Sequence, residues 1–151
     1  MPLPFRLATV LEFREAQQSM AVQDLARAEA AVQSVERSLT QLEQDQFALL
    51  AQSVSWKERP AADLRLTTLY LDVLEQRQQS LGAELVILRE QVARAREIVV
   101  VRHQAVDILN RLKERQMSIV HQEEARQEQR AIDEVNGARS IEKSRWEAEG
   151  C

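Results

Sequence analysis

Two histidines, one cysteine and a set of scattered carboxylates are the residues of this chain most able to do chemistry. A metal site needs His, Cys or carboxylate ligands gathered at short spacing. His103 and His121 are too far apart along one helical run to share an ion, and the lone Cys151 stands at the last position, near neither. Nucleophilic catalysis needs a hydroxyl or thiol within reach of a base. Every Ser and Thr here falls on a polar helical face or in a break, with no His in register. A phosphate loop needs clustered glycines, and there are only three Gly in the chain. These spacings point to a protein that is not an enzyme, with no metal and no cofactor, so the question becomes what it binds.

The elements that carry these residues are two long heptad runs. Residues 5–51 contain neither Pro nor Gly, and residues 61–136 contain only Gly82. Between them lies Gln52-Ser53-Val54-Ser55-Trp56-Lys57-Glu58-Arg59-Pro60. The expected fold is all-α, a long antiparallel two-helix coiled-coil hairpin with unequal arms. It forms one domain: a first helix over 5–51, a turn over 52–60, a second helix over 61–136 and a tail over 137–151. Charged residues make up 29% of the 151 residues and aromatics 4%, a balance that suits a coiled coil better than a globule.

In the first arm the a positions are Leu11, Gln18, Leu25, Val32, Leu39 and Gln46, and the d positions Leu7, Arg14, Ala21, Ala28, Val35, Leu42 and Leu49. In the second arm a is Leu64, Leu71, Gln78, Leu85, Val92, Val99, Val106, Lys113 and Val120, and d includes Leu74, Leu81, Leu88, Ala95, Arg102, Leu109 and Gln116. Such a period specifies a left-handed seam, in which occasional polar residues fix register. The seam fades beyond about residue 112. If Leu49 faces the neighbourhood of Leu64, the first arm runs back to about residues 103–110, and the paired rod is on the order of 70 Å long at 1.5 Å per residue. On that register Leu25 and Leu88 are neighbours. Pro60 suits a first helical turn, Ser55 and Asp63 are N-cap candidates, and Thr9 could start the first helix with Phe5 and Leu7 in a leader. The overhang from Lys113 is rich in Gln, Glu and Arg, so modest helicity is expected, with a stop at Asn136-Gly137.

The net charge of −4 comes from interspersed signs, which disfavours nucleic acid as a partner. Of the basic residues only Lys57, Lys113 and Lys143 are Lys; the Arg bias suits ion pairs between helices or with a partner. A single Cys is consistent with a reducing compartment. No signal peptide and no membrane span are visible, so a cytoplasmic location is expected.

Two apolar surpluses lie outside the seam. Leu66, Leu69, Tyr70 and Val73 form a stripe beside Leu64, Leu71 and Leu74. Either Trp56 and the turn fold over it or a partner covers it. Toward the other end, Ile98 to Val101, Ala105, Val106, Ile108, Leu109 and Leu112 exceed what a two-helix seam needs, with Phe5, Val10 and Phe13 at the same level.

The order of several motifs resembles the FliJ family of flagellar type III export proteins over nearly the whole chain. The opening Phe5-Arg6-Leu7-Ala8-Thr9-Val10-Leu11 is followed by Arg14, the turn by Tyr70 and Leu74, and the late second helix by Leu112-Lys113-Glu114-Arg115-Gln116 and then Asp133-Glu134. The resemblance implies a non-enzymatic stalk that sits in the ring of a FliI-like export ATPase. It implies that the stalk promotes ring assembly and contacts a FlhA-like export gate and substrate chaperones, peripheral to the inner face of the membrane. It also implies gate contacts at Tyr70 and Leu74, within the stripe of Leu66, Leu69 and Val73, and an ATPase-facing region at Arg111, Lys113 and Arg115. Virulence-type secretion stalks and generic cytoplasmic coiled-coil adaptors share much of this pattern.

Overall fold

A computed structural model describes residues 5–52 and 60–150. Two helices account for nearly all of them: α1 is Ala8–Gln52 and α2 is Ala61–Glu149, and they pack against each other as a helical hairpin with unequal arms of 45 and 89 residues. There is no strand among the described residues. Ala, Leu, Gln, Glu and Arg, the residues that lose least on entering a helix, dominate both segments.

The helix ends follow local chemistry. The Pro60 carbonyl accepts the N–H groups of Asp63 (3.1 Å) and Leu64 (3.4 Å), so Pro60 caps α2. Asp63 places a carboxylate in the first turn, where the helix dipole favours it. Asp63 is thus inside the helix rather than its cap, and its own carbonyl accepts the Thr67 hydroxyl at 2.8 Å. The Ser55 and Trp56 expectations fall outside the described residues. At the start of α1, Ala8 N–H donates to the Phe5 carbonyl at 3.0 Å, and the helix begins ahead of Thr9.

The expected stop at Asn136-Gly137 is corrected: α2 continues through it to Glu149. Gly ends a helix when it takes the left-handed conformation, and no described glycine has positive φ. A helical Gly costs only about 1 kcal/mol relative to Ala. Opposite charges at helical spacing, such as Arg130 with Glu134 and Lys143 with Glu147, favour continuation on either side.

The chain divides into two compact units, one of residues Glu15–Gln104 and the other of Met1–Arg14 with Ala105–Cys151. In the unit of Glu15–Gln104, Ala21, Val35 and Leu42 of α1 and Leu74, Leu85 and Val92 of α2 are buried, and all are a or d positions. The polar seam residues Gln18, Gln46 and Gln78 are half-buried. Polar side chains among the described residues meet across the seam. Arg89 Nη2 donates to Glu36 Oε1 at 3.2 Å and Arg96 Nη2 to Glu29 Oε1 at 3.1 Å. Arg102 Nη1 donates to Gln17 Oε1 at 3.0 Å, and the Gln18 amide donates to His103 Nδ1 at 3.0 Å.

From the Gln17 and Gln18 layer through Glu29 to Glu36, the partners on α2 step back from Arg102 and His103 through Arg96 to Arg89, so the arms are antiparallel. These pairs also correct the expected register. Extended along the arms, they set Leu49 level with the Leu71–Leu74 turn rather than with Leu64, a shift of about one heptad. The reason is the pairing of polar layers. This register places Gln17 and Gln18 beside Arg102 and His103, whereas the expected one would set Arg102 against Leu11 and Gln18 against Ala95. The two ion pairs are exposed, and pairs of that kind contribute about 0–1 kcal/mol, so they fix alignment more than stability. Leu25 and Leu88 are consequently not neighbours. A Glu29→Cys/Arg96→Cys variant on a Cys151→Ser background is expected to be bridged within one chain by a short bis-maleimide. Bridging only between chains would contradict the hairpin.

In the unit of Met1–Arg14 with Ala105–Cys151, Leu11 and Val106 are buried and Phe5, Ala8 and Leu109 half-buried. Lys113 is exposed, Gln116 and Val120 are the last half-buried positions, and every residue from His121 to Gly150 is exposed. The seam fades slightly beyond the expected Leu112.

Candidate partner-binding surfaces

The stripe near the start of α2 is open surface. Leu66, Leu69, Tyr70 and Val73 expose 65%, 61%, 51% and 58% of their area. Their spacing of three, one and three residues keeps them on one helical face. A shallow groove lined by Leu64, Arg65, Thr68 and Leu69 adjoins them. The Thr67 and Thr68 hydroxyls donate to the Asp63 and Leu64 carbonyls, which satisfies them locally and leaves the face apolar.

Leu74 does not belong to this surface. It is 5% exposed and sits in the seam. Its sequence position, d in the heptad, already marked it as core; the stripe's residues occupy other heptad positions. The two residues that the resemblance groups as gate contacts thus lie on different sides of α2: Tyr70 faces outward and Leu74 inward.

The basic cluster also separates. Arg111 and Arg115 are one turn apart on a common face, whereas Lys113, two residues from each, lies on nearly the opposite side of α2. Arg111 Nη2 pairs with Asp107 Oδ2 at 2.9 Å, an i,i+4 contact that holds its side chain along the helix. All three are exposed.

The second apolar surplus sorts by unit. In the unit of Glu15–Gln104, Ile98, Val100 and Val101 are exposed and Val99 is half-buried. In the other unit Val10, Phe13, Ile108 and Leu112 are exposed, while Val106 is core and Ala105 half-buried. Sequence reasoning missed Ile132, Val135, Ile141 and Trp146, all exposed on the last turns of α2. The signal was present as apolar residues spaced along a segment otherwise rich in Gln, Glu and Arg.

The histidines are engaged in the scaffold. His103 accepts from Gln18, and His121 Nδ1 lies 3.6 Å from Glu124 Oε2 one turn away. Among the described residues no group of His, Cys, Asp or Glu is placed to hold a metal ion. Among the described residues no helix is long and apolar enough to cross a membrane. The surface offers exposed helical faces and shallow grooves, a geometry suited to contact with other proteins.

The profile of the family described as FliJ, Flagellar FliJ protein, matches residues 4–145. No curated protein and no solved structure matches the chain. The match takes in both arms of the hairpin, the exposed stripe and the basic cluster. The chain therefore belongs to the flagellar FliJ family, whose members are non-catalytic proteins with a stalk-type role in flagellar export.

Proposed function

We propose that this chain is a cytoplasmic stalk of the flagellar type III export apparatus. It occupies the ring of a FliI-like export ATPase, promotes ring assembly and hydrolysis, and links the ring to a FlhA-like export gate and to substrate chaperones. It associates peripherally with the membrane through those partners. The observation that carries this reading is the match of the flagellar family across nearly the whole length of a two-helix hairpin that leaves an apolar face uncovered.

The exposed stripe of Leu66, Leu69, Tyr70 and Val73 is the gate contact in this account, with Leu74 supporting it from beneath. Arg111 and Arg115 face the ATPase together. Lys113 faces the same ATPase from nearly the opposite side of α2, as a helix enclosed by a ring allows. The family match favours the flagellar system over a virulence-type one.

Titrating the chain into purified export ATPase tests the reading. Hydrolysis and the fraction of hexamer seen by electron microscopy are both expected to rise. No change in either would support an adaptor without an ATPase partner. Within that assay, Arg111→Glu/Arg115→Glu is expected to weaken stimulation at least about tenfold, since it reverses two charges on one face. Lys113→Glu is expected to have a smaller effect.

A further inference from the structure

The last four heptads of α2, from His121 to Glu149, are helical and exposed on every side, with no helix of the same chain covering them. A heptad count started at Ala125 puts Ile132 and Arg139 at a, and Glu128 and Val135 at d. Glu128, Arg139 and Arg145 have no hydrogen-bond or ion-pair partner among the described residues. The segment thus presents a seam with two apolar positions at its centre and opposite charges on either side of them.

That pattern is complementary to itself when reversed. In an antiparallel pair of such helices, a positions meet d positions. Ile132 then meets Val135 of the second copy, and Glu128 meets Arg139 of the second copy. At the flanks Glu124 comes level with Arg145, while Ala131 comes level with Ala138 and lets the backbones approach. A two-fold axis near Asp133 and Glu134 repeats each of these contacts, as an isologous interface requires. Asp133 and Glu134 themselves fall on outward positions and stay in water. A parallel, in-register pair would set Glu128 against Glu128 and Arg139 against Arg139, so the charges select the antiparallel arrangement.

We propose that this end of α2 is a self-association surface, and that two copies of the chain pair through it as an antiparallel coiled coil centred on Ile132 and Val135. The apolar centre is small and the ion pairs lie at the rim of a two-helix contact, so the dimer is reversible rather than obligate. The inference rests on this segment alone and is independent of the proposed export partners.

Sedimentation equilibrium of the full chain as Cys151→Ser, from low micromolar to several hundred micromolar, tests it. A concentration-dependent monomer–dimer equilibrium is expected. Arg139→Glu or Glu128→Arg alone is expected to raise the dissociation constant about tenfold or more, because each turns two attractions into two repulsions. The double variant Glu128→Arg/Arg139→Glu restores both pairs and is expected to return the constant to near its original value. A chain that stays monomeric over the whole range overturns the proposal, as do single reversals without effect or a double variant that fails to restore pairing. Orientation is read separately in the same background. Ala131→Cys mixed with Ala138→Cys is expected to form disulfides between the two variants; preferential linkage of Ala131→Cys to itself overturns the antiparallel arrangement.

Discussion

Leu74→Ala is expected to destabilise the hairpin by about 2–3 kcal/mol, while Tyr70→Ala, one turn away, leaves its stability within about 0.5 kcal/mol. The contrast follows from where the two side chains go. Leu74 is 5% exposed at a d position, packed in the same seam as the buried Leu42 and Leu85. Truncating it removes buried area and leaves a gap that two stiff helices cannot close. A slender hairpin has no second layer of core to share the loss. Tyr70 is half exposed on the outer stripe, and its removal uncovers little. Thermal unfolding followed by circular dichroism reads both effects. A drop of several degrees is expected for Leu74→Ala and almost none for Tyr70→Ala. Equal losses would place Tyr70 in the core and remove it from the proposed gate surface.

The second large effect is on binding. Leu66→Ala/Tyr70→Ala is expected to weaken association with the cytoplasmic domain of the export gate at least about tenfold, with helix content unchanged. Interfaces draw most of their affinity from a few apolar and aromatic anchors, and these two are large, exposed and on one face. Leu69 and Val73 extend the same stripe, so each alone is expected to have a smaller effect. Titration calorimetry against the purified gate domain gives the number. Undiminished affinity would mean that the stripe serves another partner, such as a substrate chaperone.

The heptads made most of the architecture legible. Leu11, Ala21, Val35, Leu42, Leu74, Leu85, Val92 and Val106, assigned to a or d by spacing alone, are the buried apolar residues among those described. The same count separates Leu74 from Tyr70, which the family resemblance had grouped as gate contacts. Helical geometry divides them, as it divides Lys113 from Arg111 and Arg115.

Register was harder to read, because a heptad pattern is nearly unchanged when one arm slides by seven residues. What selects the alignment is the match of rare polar layers, Gln17 and Gln18 with Arg102 and His103, and that match is visible only when both arms are laid side by side. Gly137 misled for a related reason. Gly is a helix stop only in one backbone conformation, which the residue type permits without requiring. The apolar residues of the final segment escaped notice because Ile132 and Val135 are sparse among charges; their pattern emerges only against a reversed copy of the same segment.

In the proposed function, the intact hairpin acts on the export ATPase as a stalk. The most direct measurement is the rate of ATP hydrolysis by the purified export ATPase with the Glu29→Cys/Arg96→Cys chain, before and after its arms are bridged. The bridged chain is expected to stimulate hydrolysis as strongly as the unbridged one, because Glu29 and Arg96 are already in contact at 3.1 Å in the hairpin. Stimulation that vanishes on bridging would contradict the intact hairpin as the working form, and no stimulation from either chain would contradict the stalk role itself.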